Sequence, residues 1–168
     1  MFKYCPKCAG ELKLKKIDYA EHPVCQSCGF VFFQNSKPTV GAVIVNDQNE
    51  VLLVKRAIEP HLGKWAIPSG FLENGEDPVV GLKREVGEEL GAAVEPINIL
   101  GICVDDYAYT KGPFYTFNVF YRAKIISGEI KLDRENSQFR YFAKNEIPWD
   151  DLGFKSTEFA VKKFYNLK

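Results

Sequence analysis

The sequence has no excess charge of either sign, with 22 Lys and Arg against 22 Asp and Glu over 168 residues. That balance excludes the strongly basic surface that nonspecific nucleic-acid binding needs, so nucleic acid is not an expected partner. Nor does any apolar run approach the ~18–20 residues that a bilayer-crossing helix requires, which argues against a membrane partner. The first eight residues, MFKYCPKC, lack the charged-then-apolar pattern of a secretory leader. A cytoplasmic, reducing setting is therefore expected, in which paired cysteines serve as metal ligands more readily than as disulfides. Internal repeats and low-complexity tracts are absent too. What is there is a chain 46% apolar and 14% aromatic, enough for one domain of about 100–150 residues and a small module beside it.

The zero charge is a sum of unlike parts. Residues 1–37 hold six Lys/Arg and three Asp/Glu, whereas residues 73–106 hold two basic and nine acidic residues. All four closely paired cysteines fall within the first 28 residues, and the polar, proline-ended segment Gln34-Asn35-Ser36-Lys37-Pro38 follows them. The reading is therefore a module over 1–36 and a body over 37–168. In the body, β-branched runs at 39–45 and 50–57, joined by Asn46-Asp47-Gln48-Asn49, predict a hairpin. Val79, Leu82, Val86 and Leu90 recur at helical spacing, with Asp77 as N-cap, Pro78 at the first position and Gly91 as the stop, which predicts a helix over 78–90. Strands are expected over 93–104, 114–126 and 139–143, and a closing helix over 157–166. Strands outnumber helices in a mixed order, so the class is α/β, with a sheet covered by helices.

Cys5-Pro6-Lys7-Cys8 and Cys25-Gln26-Ser27-Cys28 are two C-x-x-C knuckles sixteen residues apart, a spacing that lets four thiolates converge on one Zn²⁺. The alternative is a redox pair or unrelated buried thiols, which two knuckles at this spacing make the lesser reading. A module of about 30 residues buries too little to fold alone, so metal binding would supply its folding free energy, on the order of 10 kcal/mol. Four thiolates leave no open coordination position, and the zinc is therefore expected to be structural. Cys103, alone in an apolar run, reads as a small buried hydrophobe.

Glu85, Glu88 and Glu89 lie at i, i+3 and i+4 of the predicted helix, so their carboxylates share one face. They also crowd its C-terminal end, where the helix dipole favours cations and where each like-charged pair costs ~0.2–0.5 kcal/mol. Glutamates on a helix are commonly no more than a solvated face, but stability alone would not choose this placement. A site for a divalent cation would, and an all-oxygen ligand set suits Mg²⁺ or Mn²⁺.

The residues around those glutamates carry a resemblance. Gly70, five residues, Glu76, seven residues, then Arg84-Glu85-Val86-Gly87-Glu88-Glu89-Leu90-Gly91-Ala92 matches the Nudix box, G-x5-E-x7-R-E-U-x-E-E-x-G-U, at every specified position. With Lys55-Arg56, Gly63-Lys64-Trp65, Pro68-Ser69-Gly70 and Glu146-Ile147-Pro148-Trp149-Asp150, the likeness extends over nearly the whole chain. The sequence resembles the zinc-ribbon-containing group of Nudix hydrolases that includes FAD and ADP-ribose pyrophosphatases. This implies a Nudix α/β/α sandwich with a mixed sheet, preceded by a small N-terminal zinc ribbon. Carried over by position, Glu85, Glu88 and Glu89 would bind the metal, with a backbone carbonyl of Ser69 or Gly70 as a further ligand. Arg84 would orient the carboxylates, Glu76 would pair inside the box and Glu73 would lie near the acidic pocket. Glu135 is the candidate base or extra ligand from a distant loop. Gly81 departs from the alanine common in the family, at a cost of ~1 kcal/mol in a helix interior unless close packing requires it.

The implied reaction is Mg²⁺-dependent hydrolysis of the diphosphate of a nucleoside diphosphate linked to another group, such as ADP-ribose or FAD, releasing AMP and a phosphate ester. Arg56 is expected either to clamp a phosphate or to form a surface salt bridge, and Phe32, Phe33, Tyr107, Tyr109, Phe114 and Tyr115 include candidates for stacking on a base. NADH and dinucleoside polyphosphates stay open as substrates, although the sequence S-Q-P-W-P-F-P-x-S that marks NADH pyrophosphatases is absent. A reading of another class is a noncatalytic Nudix-like sensor, or a zinc ribbon that binds a partner. Its basic residues Lys3, Lys7, Lys13, Lys15 and Lys16 lack the aromatic and arginine interleaving of a nucleic-acid surface. Members of the group are often homodimers, so the resemblance allows a homodimer here.

Overall fold

A computed structural model describes residues 2–107 and 114–167, and the chain divides into two compact units, Met1–Asn35 and Ser36–Lys168. In the first, β1 (Leu12–Ile17) pairs antiparallel with β2 (Ala20–Cys25) across a tight turn in which Asp18 takes a positive φ of 51°. Cys5, Pro23, Val24 and Cys25 are the buried residues described in this unit. So few apolar groups cannot offset the entropy of ordering 35 residues, and the four cysteines gathered at one end of the hairpin take the place of a core.

The second unit is layered because two of its strands are apolar on both faces. Along β3 (Lys37–Ile44) and β4 (Val51–Arg56), Val40, Ala42, Ile44, Leu52 and Val54 point to one core, while Val43, Leu53 and Val51 point to another. Helix α1 (Pro78–Leu90) closes the first with Leu82, Val86 and Leu90, and α2 (Lys155–Phe164) closes the second with Ala160 and Val161. A strand buried on both faces reads as a continuous apolar run, as both do. Between the helices lie two sheets. One has the order β6-β3-β8-β7, from β6 (Ser69–Phe71), β7 (Ala93–Asp106) and β8 (Tyr115–Ser127). The other has the order β5-β4-β9, from β5 (Trp65–Ala66) and β9 (Asn136–Phe142). The β3–β8 pairing is parallel and the others are antiparallel, so the sheet is mixed.

Helix α1 begins and ends on the residues its sequence signals. Asp77 Oδ1 accepts from the backbone N–H of Val79 at 2.8 Å, Pro78 opens the helix, and Gly91 closes it at φ 62° with its N–H on the Gly87 carbonyl. Gly81 is a packing glycine, since a Cβ there would run into Leu72 and Glu76. Two expectations need correction, and two short strands had not been expected. Residues 39–57 do not form one hairpin ladder: after a turn in which Asn46 Oδ1 accepts from the N–H groups of Gln48 and Glu50, β3 and β4 meet only at a Val45–Val51 bridge and then join different sheets, because each must bury both faces. The short strands β5 and β6 were too brief to carry a periodic signal. Cys103 is half-buried against the α2-side core rather than fully enclosed, and burial pushes its thiol up to about 11.

Candidate functional site

In the N-terminal unit the four sulfurs lie within 4.8 Å of one another. Cys5 Sγ and Cys28 Sγ are 3.8 Å apart, Cys8 Sγ and Cys25 Sγ 3.4 Å, close to the ~3.8 Å edge that Zn–S bonds of about 2.3 Å give a tetrahedron. The knuckle geometry also aims backbone donors at sulfur, with Lys7 N–H on Cys5 Sγ and Cys28 N–H on Cys25 Sγ. The Cys28 N–H holds the Cys25 thiol down, to about 6, against the opposing effect of burial. The cluster suits zinc, and its four ligands would leave no position for a substrate.

In the second unit a cavity of about 510 Å³ opens where β6, the N-terminal turn of α2 and the last turns of α1 converge. Arg84, Glu85, Glu88 and Glu89 line it, together with Ser69, Gly70, Glu73, Arg56 and Glu135. Residues separated by up to 79 positions are thus brought to one wall. Arg84 is the hub. Its Nε and Nη2 donate to both carboxylate oxygens of Glu76 at 2.8 and 2.9 Å, Nη1 donates to Glu85 and Glu88, and Nη2 also reaches the Phe71 carbonyl. A planar fork is suited to such bidentate pairing, and it ties the loop at 70–76 to the helix.

That pairing sets a pH dependence. The Arg84 guanidinium and the Glu73 N–H hold the Glu76 carboxyl down to about 2 from an ordinary value of 4.5. Its contribution to folding is therefore complete above about pH 4.5 and fades as the pH falls towards 2. We expect thermal midpoints measured across that window to fall with acid, and to fall less in Glu76→Gln.

Glu89 is the opposite case. Burial pushes its carboxyl well above the usual range, with repulsion from Glu85 and Asp133 added; its Oε1 is met only by a long 3.4 Å contact from the Ser69 N–H, and its Oε2 is buried without a partner. Burial raises Glu85 as well. At Gly70 the backbone lies so close to the Glu85 carboxylate that a Cβ would collide with it. Buried carboxylates without partners cost several kcal/mol, and a cation against them removes that cost. Among the described residues only the four cysteines form a tight ligand cluster; Glu85 and Glu88 turn to Arg84 instead of converging with Glu89. An open, oxygen-lined arrangement fits Mg²⁺, which keeps several waters and takes few protein carboxylates.

The turn at 133–136 brings distant acids to the same wall. Asp133 N–H donates to the Glu89 carbonyl, Asp133 Oδ1 accepts from the Glu135 N–H at 3.0 Å and from Asn136, and the Glu135 carbonyl accepts from Ala57 N–H. Among the described residues Arg56 forms no salt bridge: its Nε donates to the Pro60 carbonyl at 2.6 Å and its guanidinium covers the Phe154 ring at 5.2 Å. Of the stacking candidates, Tyr107 lines the cavity and lies parallel to Phe154 at 5.9 Å, and Phe114 packs on Tyr107 and Phe71. Tyr115 is exposed and absent from the lining, Phe32 and Phe33 pack within the N-terminal unit, and Tyr109 lies outside the described residues. Phe154, Asp133, Glu59, Thr39 and Asn118 are lining residues that no motif announced.

Comparison with known proteins fits this geometry. A family model described as the NUDIX domain matches residues 35–162. The crystal structure of a NUDIX hydrolase from Nitrosomonas europaea superposes with a TM-score of 0.82 at 33% identity, covering 98% of this chain and 91% of that one. An ADP-ribose pyrophosphatase of Methanocaldococcus jannaschii is 29% identical over 105 residues, 62% of this chain and 61% of the relative. The human 8-oxo-dGDP phosphatase NUDT18 is 33% identical over 111 residues, 64% of this chain and 32% of the relative. The match thus spans less than two thirds of either relative's length. Among the described residues no helix is long and apolar enough to cross a membrane.

Proposed function

The chain belongs to the Nudix hydrolase family, and from that premise we propose that it hydrolyses the diphosphate bond of a nucleoside diphosphate linked to a further group, with ADP-ribose as the leading candidate. The observation that carries this reading is the buried, partnerless Glu89 Oε2 on the wall of a cavity lined by Glu85, Glu88 and Glu89. The name of the M. jannaschii relative supports ADP-ribose; that of the human relative makes an oxidised guanine nucleoside diphosphate the second reading.

Glu85, Glu88 and Glu89 would hold Mg²⁺ or Mn²⁺. When bound, such a cation neutralises phosphoryl oxygens and lowers the pKa of water. The protein's own part is positioning and exclusion. Arg84 fixes where the Glu85 and Glu88 carboxylates stand, and Gly70 leaves room for the first of them. Arg56, with its Nε already engaged by Pro60, keeps its remaining N–H groups for the diphosphate. Glu135 takes the proton of the attacking water on a carboxylate oxygen. The P–O bond to the bridging oxygen breaks as the new one forms, giving AMP and a phosphate ester.

Gly70→Ala is expected to displace the Glu85 carboxylate and lower kcat/KM by about 10- to 100-fold, the loss that a misplacement near 1 Å causes. Steady-state kinetics together with an unchanged circular dichroism spectrum would check it. The reading as a whole is tested by Mg²⁺-dependent release of phosphate esters from ADP-ribose, FAD, NADH, diadenosine polyphosphates and 8-oxo-dGDP. Inertness towards all of them, with tight binding of one, would instead favour a noncatalytic sensor.

A further inference from the structure

Burial of uncharged polar side chains is concentrated in one place. Among the described residues six polar side chains are buried, and five of them, Thr39, Thr116, Asn118, Ser156 and Thr157, line the cavity on the face of the sheet that α2 covers. The glutamates come from α1, which packs on the opposite face. A buried hydroxyl or amide is unfavourable unless it is hydrogen-bonded, and apolar residues of the same size would pack here as well. Thr39, Thr116 and Asn118 satisfy one another, so what the cluster offers to something entering the cavity is the bonding capacity left over.

The floor of this chamber has a defined polarity. Asn118 Nδ2 lies 3.3 Å from the backbone carbonyls of Cys103 and Thr116 and 3.0 Å from Thr116 Oγ1. Carbonyls only accept, so the amide nitrogen must be the atom facing them. Asn118 Oδ1 then faces Thr39, whose hydroxyl donates to it at 2.6 Å. The amide hydrogens and the Thr39 proton are thus used within the protein, and what remains for the cavity is lone pairs on Thr39 and Asn118. The same cavity is lined by the parallel rings of Tyr107 and Phe154, with Phe71 edge-on to Tyr107.

We infer that this half of the cavity is a recognition chamber for a nucleobase that presents an exocyclic amino group, with Asn118 the specificity-determining residue and Thr39 and Thr116 the groups that fix its orientation. The inference rests on the proposed function only in assigning the ring to the nucleotide substrate. A base offers its face to aromatic rings and its edge to the floor. An amino group pairs with the lone pairs of Thr39 and Asn118. An oxo group in its place sets lone pairs against lone pairs and leaves both sides unbonded. Sites built around a particular hydrogen bond reject the analogue that lacks it far more strongly than apolar pockets reject a missing methylene.

Calorimetric titration of adenosine, guanosine and inosine 5′-monophosphates into the full-length, zinc-loaded protein without added Mg²⁺ tests this without requiring turnover. Inosine carries oxygen in place of the adenine amino group and lacks the amino group of guanine. At least one amino-bearing nucleotide should bind about tenfold or more tightly than inosine monophosphate, and the ratio should fall to about threefold or less in Asn118→Leu and in the isosteric Thr39→Val. Equal binding of all three by the wild type, or a ratio that survives both substitutions, would overturn the inference. The two readings fail separately. Cleavage of the diphosphate panel without base discrimination removes the chamber alone, whereas discrimination in a protein that cleaves no diphosphate with Mg²⁺ removes the pyrophosphatase alone.

Discussion

Glu89→Gln is expected to lower Mg²⁺-dependent kcat/KM by about 10³-fold while leaving the Mg²⁺-free protein as stable as the wild type or more so. The two halves of this result have one cause. In the free protein the Glu89 carboxylate is buried, pushed towards its neutral form and crowded by Glu85 and Asp133, with one oxygen lacking any partner. Neutralising it relieves that cost. At about 2–4 °C of midpoint per kcal/mol for a chain of this size, the Mg²⁺-free thermal midpoint should rise by a few degrees. Adding Mg²⁺ should raise the wild-type midpoint through binding to the folded state alone, and should raise that of Glu89→Gln much less. A residue that mattered only for packing would lose stability and activity together. Differential scanning calorimetry with and without Mg²⁺, beside steady-state kinetics, separates the two.

The other large effect is expected in the N-terminal unit. Cys25→Ser should abolish zinc binding and unfold residues 1–35. With Cys5, Pro23, Val24 and Cys25 as its buried residues, the hairpin has little else to hold it, and structural zinc supplies folding free energy on the order of 10–16 kcal/mol. The wild type should carry one zinc per chain by elemental analysis. Amide exchange in residues 12–25, slow in the zinc-loaded protein, should become fast in Cys25→Ser and in wild type stripped by a strong chelator. Slow exchange in either zinc-free sample would show that the hairpin is held by its β1–β2 ladder rather than by the metal.

The features legible in the sequence were those whose parts lie close together in it. Both cysteine knuckles, the helix caps Asp77 and Gly91, and Arg84, Glu85, Glu88 and Glu89 are each set by spacing within a turn or a knuckle, and local geometry follows from spacing. The apolar runs at 39–45 and 50–57 identified strands but not their partners, because a strand buried on both faces gives no alternation from which to choose a sheet. Phe154 was silent for a different reason. It caps α2 from outside, with the helix N-terminus held instead by Asp105, whose carboxylate accepts from the Ser156 N–H across 51 residues. Thr39 and Asn118 stand 79 residues apart and meet only because β3 and β8 pair in parallel, an arrangement no local pattern encodes. Asp133 is joined to the site through its backbone N–H on the Glu89 carbonyl, a contact across 44 residues that no local spacing announces.

The charge distribution also takes on a physical meaning. The stretch at 73–106 that holds nine acids and two bases contains Glu76, which Arg84 satisfies, and Glu89, whose Oε2 is buried with no partner among the described residues. Excess negative charge is thus not spread evenly over a solvated helix face but is left unmatched on the cavity wall.

Chromatographic identification of the products from ADP-ribose and Mg²⁺, run side by side for wild type and Glu89→Gln, is the most direct test of that account. It predicts AMP and ribose 5-phosphate in equal amounts from the wild type, none after chelation of Mg²⁺, and a rate about three orders of magnitude lower from Glu89→Gln. Equal rates from the two proteins, or release of AMP that is indifferent to Mg²⁺, would contradict it.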